Sequence, residues 1–156
     1  VFNEVNKKIP SKLLLVGDGP ERANLDMLCR QLDLCDRVIM IGKVRDTAHV
    51  LGISDLFILP SETESFGLAA LEAMALSVPV ISSNTGGIPE VNVQGKTGFL
   101  SNVGDVHDMA ANAIKLLESK TLMAEFKINA LNRAKEFSLE TVLPMYEKIY
   151  RDVLSK

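Results

Sequence analysis

Pro60-Ser61-Glu62-Thr63-Glu64-Ser65-Phe66-Gly67-Leu68-Ala69-Ala70-Leu71-Glu72-Ala73-Met74-Ala75 decides the fold. Just before it, residues 56–60 (LFILP) form a short apolar run that reads as a buried strand. A polar loop follows. Residues 66–76 are then rich in helix formers and nearly all apolar, which predicts a largely buried helix. N–H groups left free at a helix start attract anions, and the helix dipole adds to this. Gly67 has no side chain to block a phosphate. Glu64 precedes the helix and Glu72 lies about two turns into it, so the two carboxylates can share one side. One acid near an anion site and one deeper in suits a ligand with two polyhydroxyl ends, because carboxylate oxygens accept hydrogen bonds from vicinal hydroxyls. A nucleotide sugar is such a ligand. The plain alternative, two solvated charges on a helix surface, stands beside it. Against it, Glu72 interrupts an otherwise apolar helix, and a buried acid needs a partner.

Outward from this stretch the same unit recurs. Residues 12–17 (KLLLVG), 37–42 (RVIMIG) and 79–82 are further strand-like runs, and 98–100 is a short one. Helical stretches separate them. One follows Pro20, with Leu25, Leu28, Leu32 and Leu34 as its apolar side. A short one spans 47–53, and another opens at Gly86-Gly87-Ile88-Pro89. Residues 1–8 read as the tail of a helix stopped by Ile9-Pro10-Ser11. Asp105 is a good N-cap for a helix to about Glu118. The last helix, from Ser138, lines up Leu139, Val142, Leu143, Tyr146, Ile149, Tyr150 and Val153; Pro144 kinks it or marks its true start. Short strands alternating with helices give an α/β fold, a Rossmann-like doubly wound parallel sheet. Ligands of such sheets bind beyond the carboxyl ends of the strands, which directs attention to loops 17–20, 42–46, 61–67 and 82–88.

Composition narrows the function. The chain has 156 residues, enough for one domain with a full core, and a net charge of −3 without a basic patch, which gives nucleic-acid binding no electrostatic support. No apolar run approaches the roughly 20 residues of a membrane span, and no signal peptide is visible, so a cytoplasmic location is expected. Cys29 and Cys35 read as ordinary packing or partly exposed thiols, and His49 and His107 as surface positions. No metal-ligand cluster appears, so no metal and no cofactor are expected. Gly17-x-Gly19 lacks the third glycine of a dinucleotide fingerprint and is weak alone. Gly86-Gly87 reads equally as a close approach to a ligand and as a tight turn. Met74, Met109, Met123 and Met145 are expected in the core. Lys115, Lys120, Lys127, Arg133 and Lys135 are expected on a solvated face.

The spacing Glu64 to Glu72 within P-S-x-x-E-x-F-G-L-x-x-x-E-A-M-A resembles the signature of the retaining glycosyltransferases of family 4. Leu15-Val16-Gly17-Asp18-Gly19-Pro20, Val38 to Gly42, Gly86-Gly87-Ile88-Pro89-Glu90-Val91, Gly95 and Thr97-Gly98-Phe99-Leu100 are similar to the family's flanking blocks. The resemblance spans roughly residues 12–102 and is looser in the terminal helices. Ser65 before Phe66, Asn84-Thr85 and Val103-Gly104-Asp105-Val106 resemble one group within it, which transfers N-acetylglucosamine from its UDP donor to L-malate in bacillithiol biosynthesis.

The resemblance implies a GT-B enzyme, with residues 1–156 as the donor-binding C-terminal half and an acceptor-binding N-terminal domain outside this chain. Glu64 would be catalytic in the sense of holding the donor sugar. Backbone N–H groups around Phe66, Gly67 and Leu68 would hold the diphosphate, Ser65 beside them would also belong to the donor site, and Glu72 would take the ribose. Gly42, Lys43 and Val44 would meet the uracil, and Gly17 and Gly19 would keep the cleft floor open. Transfer would retain anomeric configuration on one face of the sugar, with phosphate helping to deprotonate the acceptor. The partners implied are a UDP-sugar, a small acceptor and the N-terminal domain of the same enzyme; a homo-oligomer is compatible with the sequence. The isolated fragment is expected not to turn over. Other readings are a family 4 transferase with a different donor or acceptor, a non-catalytic nucleotide-binding module, and a glycosidase using Glu64 and Glu72 as an acid/base pair. The last fits poorly, because eight residues of helix separate α-carbons by about 12 Å.

Overall fold

A computed structural model describes residues 1–155. The elements are α1 (Phe2–Lys8), β1 (Leu13–Val16), α2 (Arg22–Gln31), β2 (Val38–Gly42), α3 (Ala48–Gly52), β3 (Phe57–Leu59), α4 (Leu68–Ala75), β4 (Val80–Ser83), α5 (Ile88–Val91), β5 (Gly98–Ser101), α6 (Val106–Glu118), α7 (Lys120–Lys135) and α8 (Leu139–Leu154). The alternation read from the sequence is present in the same order. Asp105 caps α6 by accepting from the Asp108 N–H at 3.0 Å. α8 starts at Leu139 behind the Ser138 cap, so Pro144 lies inside the helix and does not mark its start.

β4 is the centre of a parallel three-stranded sheet in the order β3-β4-β5, with Ile58 opposite Ile81 and Ile81 opposite Phe99. Successive residues of a strand point to opposite faces, and β4 uses both. Ile81 packs with Val5 of α1, Phe99, and Met109 and Ala113 of α6. Val80 packs with Ala70 and Met74 of α4, Val91 of α5 and Ala130 of α7. This sheet is therefore wrapped by helices on both faces, and its central strand is wholly buried.

β1 and β2 form a second parallel pair, with Leu13 opposite Val38 and a register shift between Leu15 and Val16. The two sheets are not hydrogen-bonded to each other, so β1 and β3 each pair on one side only. The β1–β2 unit is thinly covered. Val16, Ile39 and Ile41 are exposed, and so are Leu25, Leu28 and Leu32 of α2; only Leu34 of the expected apolar side is buried. α8 is helical at the expected spacing, yet its apolar face is open too, with Tyr150 67% and Val153 65% accessible. Met145 is likewise exposed, against expectation, while Met74 and Met109 are core. Arg133 is not on a solvated face: its guanidinium stacks on Phe137 and bonds the Glu90 carbonyl and Glu136. Cys29 is buried and Cys35 exposed, both free.

Candidate functional site

The site assembles from the loops that follow β1, β2, β3 and β4. After β1 and β2 the two glycine turns meet: the Gly17 N–H donates to the Gly42 carbonyl at 2.8 Å. Gly17 (φ 130) and Gly42 (φ 79) both use left-handed backbone that side chains disfavour. Side chains at Gly17 or Gly19 would meet nothing within 4 Å, so this is open space. Lys43 is exposed and Val44 half-buried.

After β3 the chain runs through the acidic loop into α4. The helix starts at Leu68, later than the sequence suggests, because Gly67 is its N-cap with φ 94 and ψ 42. That geometry favours glycine. No side chain caps this end. The first intrahelical acceptor is the Gly67 carbonyl, taken by Leu71. The N–H groups of Leu68, Ala69 and Ala70 therefore lack an acceptor among the described residues, as expected for a first turn. Glu64 bends back over this turn and its Oε1 accepts from the Gly67 N–H at 3.3 Å. A carboxylate next to three open N–H groups marks where an anion and a hydroxyl-rich group can lie side by side.

Glu72 is further along α4. The expectation of a buried helix with a buried acid is corrected. α4 buries only Ala70, Ala73 and Met74, while Leu68 is 64% accessible and Glu72 is exposed. Apolar composition overstated burial because α4 is covered on part of its surface only, by α3, α5, α7 and the sheet. Glu72 Oε2 accepts from the Thr47 hydroxyl at 3.3 Å, which ties α4 to the loop after β2. Thr47 was not singled out from the sequence, and nothing local to it signals a partner 25 residues away. Two grooves flank α4 and share Glu72. One, of about 400 Å³, runs past Arg45, Thr47 and Leu51; the other, of about 370 Å³, runs past Leu68, Leu71 and Phe137. Neither groove includes Glu64, so they bear on the Glu72 end alone. Phe66 packs against the buried cluster of α4 and meets Phe137 edge-on at 5.7 Å.

Between β4 and β5, Asn92 ties the two strands together near their amino ends. Its Nδ2 donates to Ser82 Oγ at 2.8 Å and to the Val80 and Phe99 carbonyls at 3.2 Å. Its Oδ1 accepts from Thr97 Oγ1 at 3.0 Å. The sequence reading missed this buried residue, although its place at the end of α5, after Pro89, was in view. Among the described residues no group of three His, Cys, Asp or Glu converges as a metal site, and no helix is long and apolar enough to cross a membrane.

The profile of the family "Glycosyl transferases group 1" matches residues 1–133. An N-acetyl-alpha-D-glucosaminyl L-malate synthase of Bacillus anthracis is 45% identical over 98% of this chain, which covers 40% of that protein. Among solved structures, a sucrose-phosphate synthase from Thermosynechococcus elongatus superposes with a TM-score of 0.86 at 28% identity, over 99% of this chain and 41% of that one. HepE of Anabaena in complex with UDP gives 0.86 at 25% identity, over 99% and 44%. The chain thus spans about two fifths of the length of these relatives.

Proposed function

This chain belongs to the glycosyl transferases group 1 family, and from that premise we propose that residues 1–156 are the donor-binding domain of a retaining GT-B transferase. The donor is UDP-N-acetylglucosamine and the acceptor is a small hydroxy acid such as L-malate. One observation carries the reading: Glu64 folds over an uncapped helix start whose N–H groups are open, while Glu72 projects from the same helix. The open N–H groups of Leu68, Ala69 and Ala70 hold the diphosphate, and they stabilise the negative charge that grows on it as the bond from the anomeric carbon breaks. Glu64 orients the sugar, Glu72 takes the ribose hydroxyls, and the Gly42-Lys43-Val44 turn meets the base. The acceptor hydroxyl attacks from the face the diphosphate leaves and passes its proton to the departing phosphate oxygen. The similarity to a malate synthase supports the donor and acceptor chosen here. Family membership disfavours the acid/base pair of a glycosidase.

A second domain completes the enzyme. The chain exposes 10066 Å². A monomer of its 17.0 kDa is expected to expose about 7,700 Å². The excess of about 2,300 Å² on this side alone is well above the roughly 800 Å² that each partner gives to a standard interface. The uncovered β1–β2 unit and the open face of α8 are where it concentrates. The test is transfer by the complete polypeptide from UDP-N-acetylglucosamine to L-malate, with the anomer of the product read by NMR. An α-linked product supports the reading. Transfer to other acceptors alone, or from ADP- or GDP-sugars, assigns a different member of the family. Multiple turnover by residues 1–156 alone contradicts the two-domain account.

A further inference from the structure

Loop 84–87 connects β4 to α5 and carries two glycines that the donor reading leaves without a role. Their surroundings differ from those of Gly17 and Gly19. Where those face open space, a Cβ on Gly86 would stand 1.7 Å from the Glu64 carbonyl oxygen, and one on Gly87 would stand 2.5 Å from the Ser65 carbonyl oxygen. Gly86 has φ 54 and so favours glycine on backbone grounds as well. Gly87 does not: its φ of −83 suits any residue, so only the close approach accounts for it. The contacts are also bonded. The Gly87 N–H donates to the Glu64 carbonyl at 3.3 Å, and the Thr85 hydroxyl donates to the Glu62 carbonyl at 3.2 Å. Three consecutive residues thus seat three backbone carbonyls of the acidic loop, those of 62, 64 and 65.

Neither reading left open by the sequence, ligand approach or plain turn, describes this packing. We propose that Thr85, Gly86 and Gly87 are positioning residues: they set the height of Glu64 over the first turn of α4, and so decide how tightly the donor's sugar, as distinct from its nucleotide, is held. The inference rests on the donor reading above for its functional half. Its physical basis is separate. Glu64 reaches the Gly67 N–H from a backbone that has no helix or strand of its own to hold it, and the glycine loop is the surface it rests on. The ribose end, at Glu72, is tied instead to Thr47, so a shift of the acidic loop acts first on the sugar end, at Glu64, and leaves the Glu72 tie in place.

Four variants separate the possibilities: Gly87→Ala, Thr85→Val, its conservative counterpart Thr85→Ser, and Gly95→Ala. Gly95 faces open space, so Gly95→Ala shows what an added methyl does where no neighbour stands in its way, even with the strain of a left-handed φ of 71 that Gly87 does not have. Amide hydrogen exchange in this chain needs no ligand. Gly87→Ala and Thr85→Val should speed exchange at Gly67 by about tenfold or more, while Thr85→Ser and Gly95→Ala stay within about twofold. In the complete transferase, the first two should lower kcat/KM for the donor by about 10- to 100-fold and change the inhibition constant of UDP by less than about threefold. Unchanged exchange at Gly67 in both Gly87→Ala and Thr85→Val overturns the proposal. So does equal weakening of UDP and donor. If the wild type responds to neither UDP nor UDP-sugar, the donor reading fails and the selectivity claim falls with it, while exchange at Gly67 still decides whether the loop is seated as described.

Discussion

The hydroxyl of Thr47 donates to the Glu72 carboxylate at 3.3 Å, joining the loop after β2 to the exposed side of α4. The bond crosses between two elements that hydrogen-bonded sheet pairing does not connect. Both residues line the groove between α3 and α4, the place proposed above for the ribose.

Removing that hydroxyl should loosen Glu72 without harming the core. Thr47→Val is expected to weaken UDP binding by about 2- to 10-fold, the worth of one hydrogen bond to a charged group at an exposed site. Thermal stability should stay nearly unchanged, because the pair is exposed. Titration calorimetry with a melting curve on the same variant checks both halves.

Asn92 should matter for stability far more than its modest size suggests. Asn92→Leu removes four buried hydrogen bonds at once and leaves the Ser82 hydroxyl, wholly buried, without the Asn92 amide it bonds. A cost of about 2–4 kcal/mol is expected from urea unfolding. Gly98→Ala should be at least as damaging, since its Cβ would stand 1.8 Å from the Val80 carbonyl.

The amino end of α8 should respond to acid. The backbone N–H of Glu140 and then the Ser138 hydroxyl hold the Glu140 carboxyl below its usual range. With the folded value lower than the unfolded one, the contribution is complete above the unfolded value and is lost as pH falls through the folded one. NMR shifts of residues 139–142 should therefore report fraying below about pH 4.5, near the ordinary glutamate value. Glu140→Gln should remove that pH dependence.

The uncovered apolar surface predicts a dependence on context. Ile149→Ser and Val153→Ser, at residues 59% and 65% accessible, should each shift the stability of residues 1–156 by less than about 0.5 kcal/mol. In the complete polypeptide the same changes should cost about 1–3 kcal/mol if this face is covered there. Parallel unfolding curves of the two forms give the comparison.

Much of this was legible in the sequence, and the parts that were not share a cause. Strand and helix order followed from apolar runs punctuated by Gly and Pro, and Asp105 announced its cap. Burial was misjudged at α4, α2 and Met145, because periodicity says which residues share a face and not whether another element covers it. Glu72 was expected to be buried for that reason and is exposed. The division into two sheets was also hidden: run length marks a strand but not its neighbours. The roles of Thr47, Thr85 and Asn92 are not legible, although Thr85 sits in a recognisable stretch, because each acts on residues distant in sequence or on backbone carbonyls. Gly86-Gly87 was noticed, but what the pair touches only the packed loops could reveal.

The central claim is that α4 and its two glutamates hold a uridine nucleotide. Titration calorimetry of UDP, ADP and GDP into residues 1–156, wild type and Glu72→Ala, at nucleotide concentrations up to the millimolar range tests it most directly. The account predicts selective uridine binding by the wild type, weakened at least about tenfold by Glu72→Ala, as loss of a charge-assisted bond to ribose requires. Equal binding of all three nucleotides, or UDP binding that Glu72→Ala leaves unchanged, would contradict it.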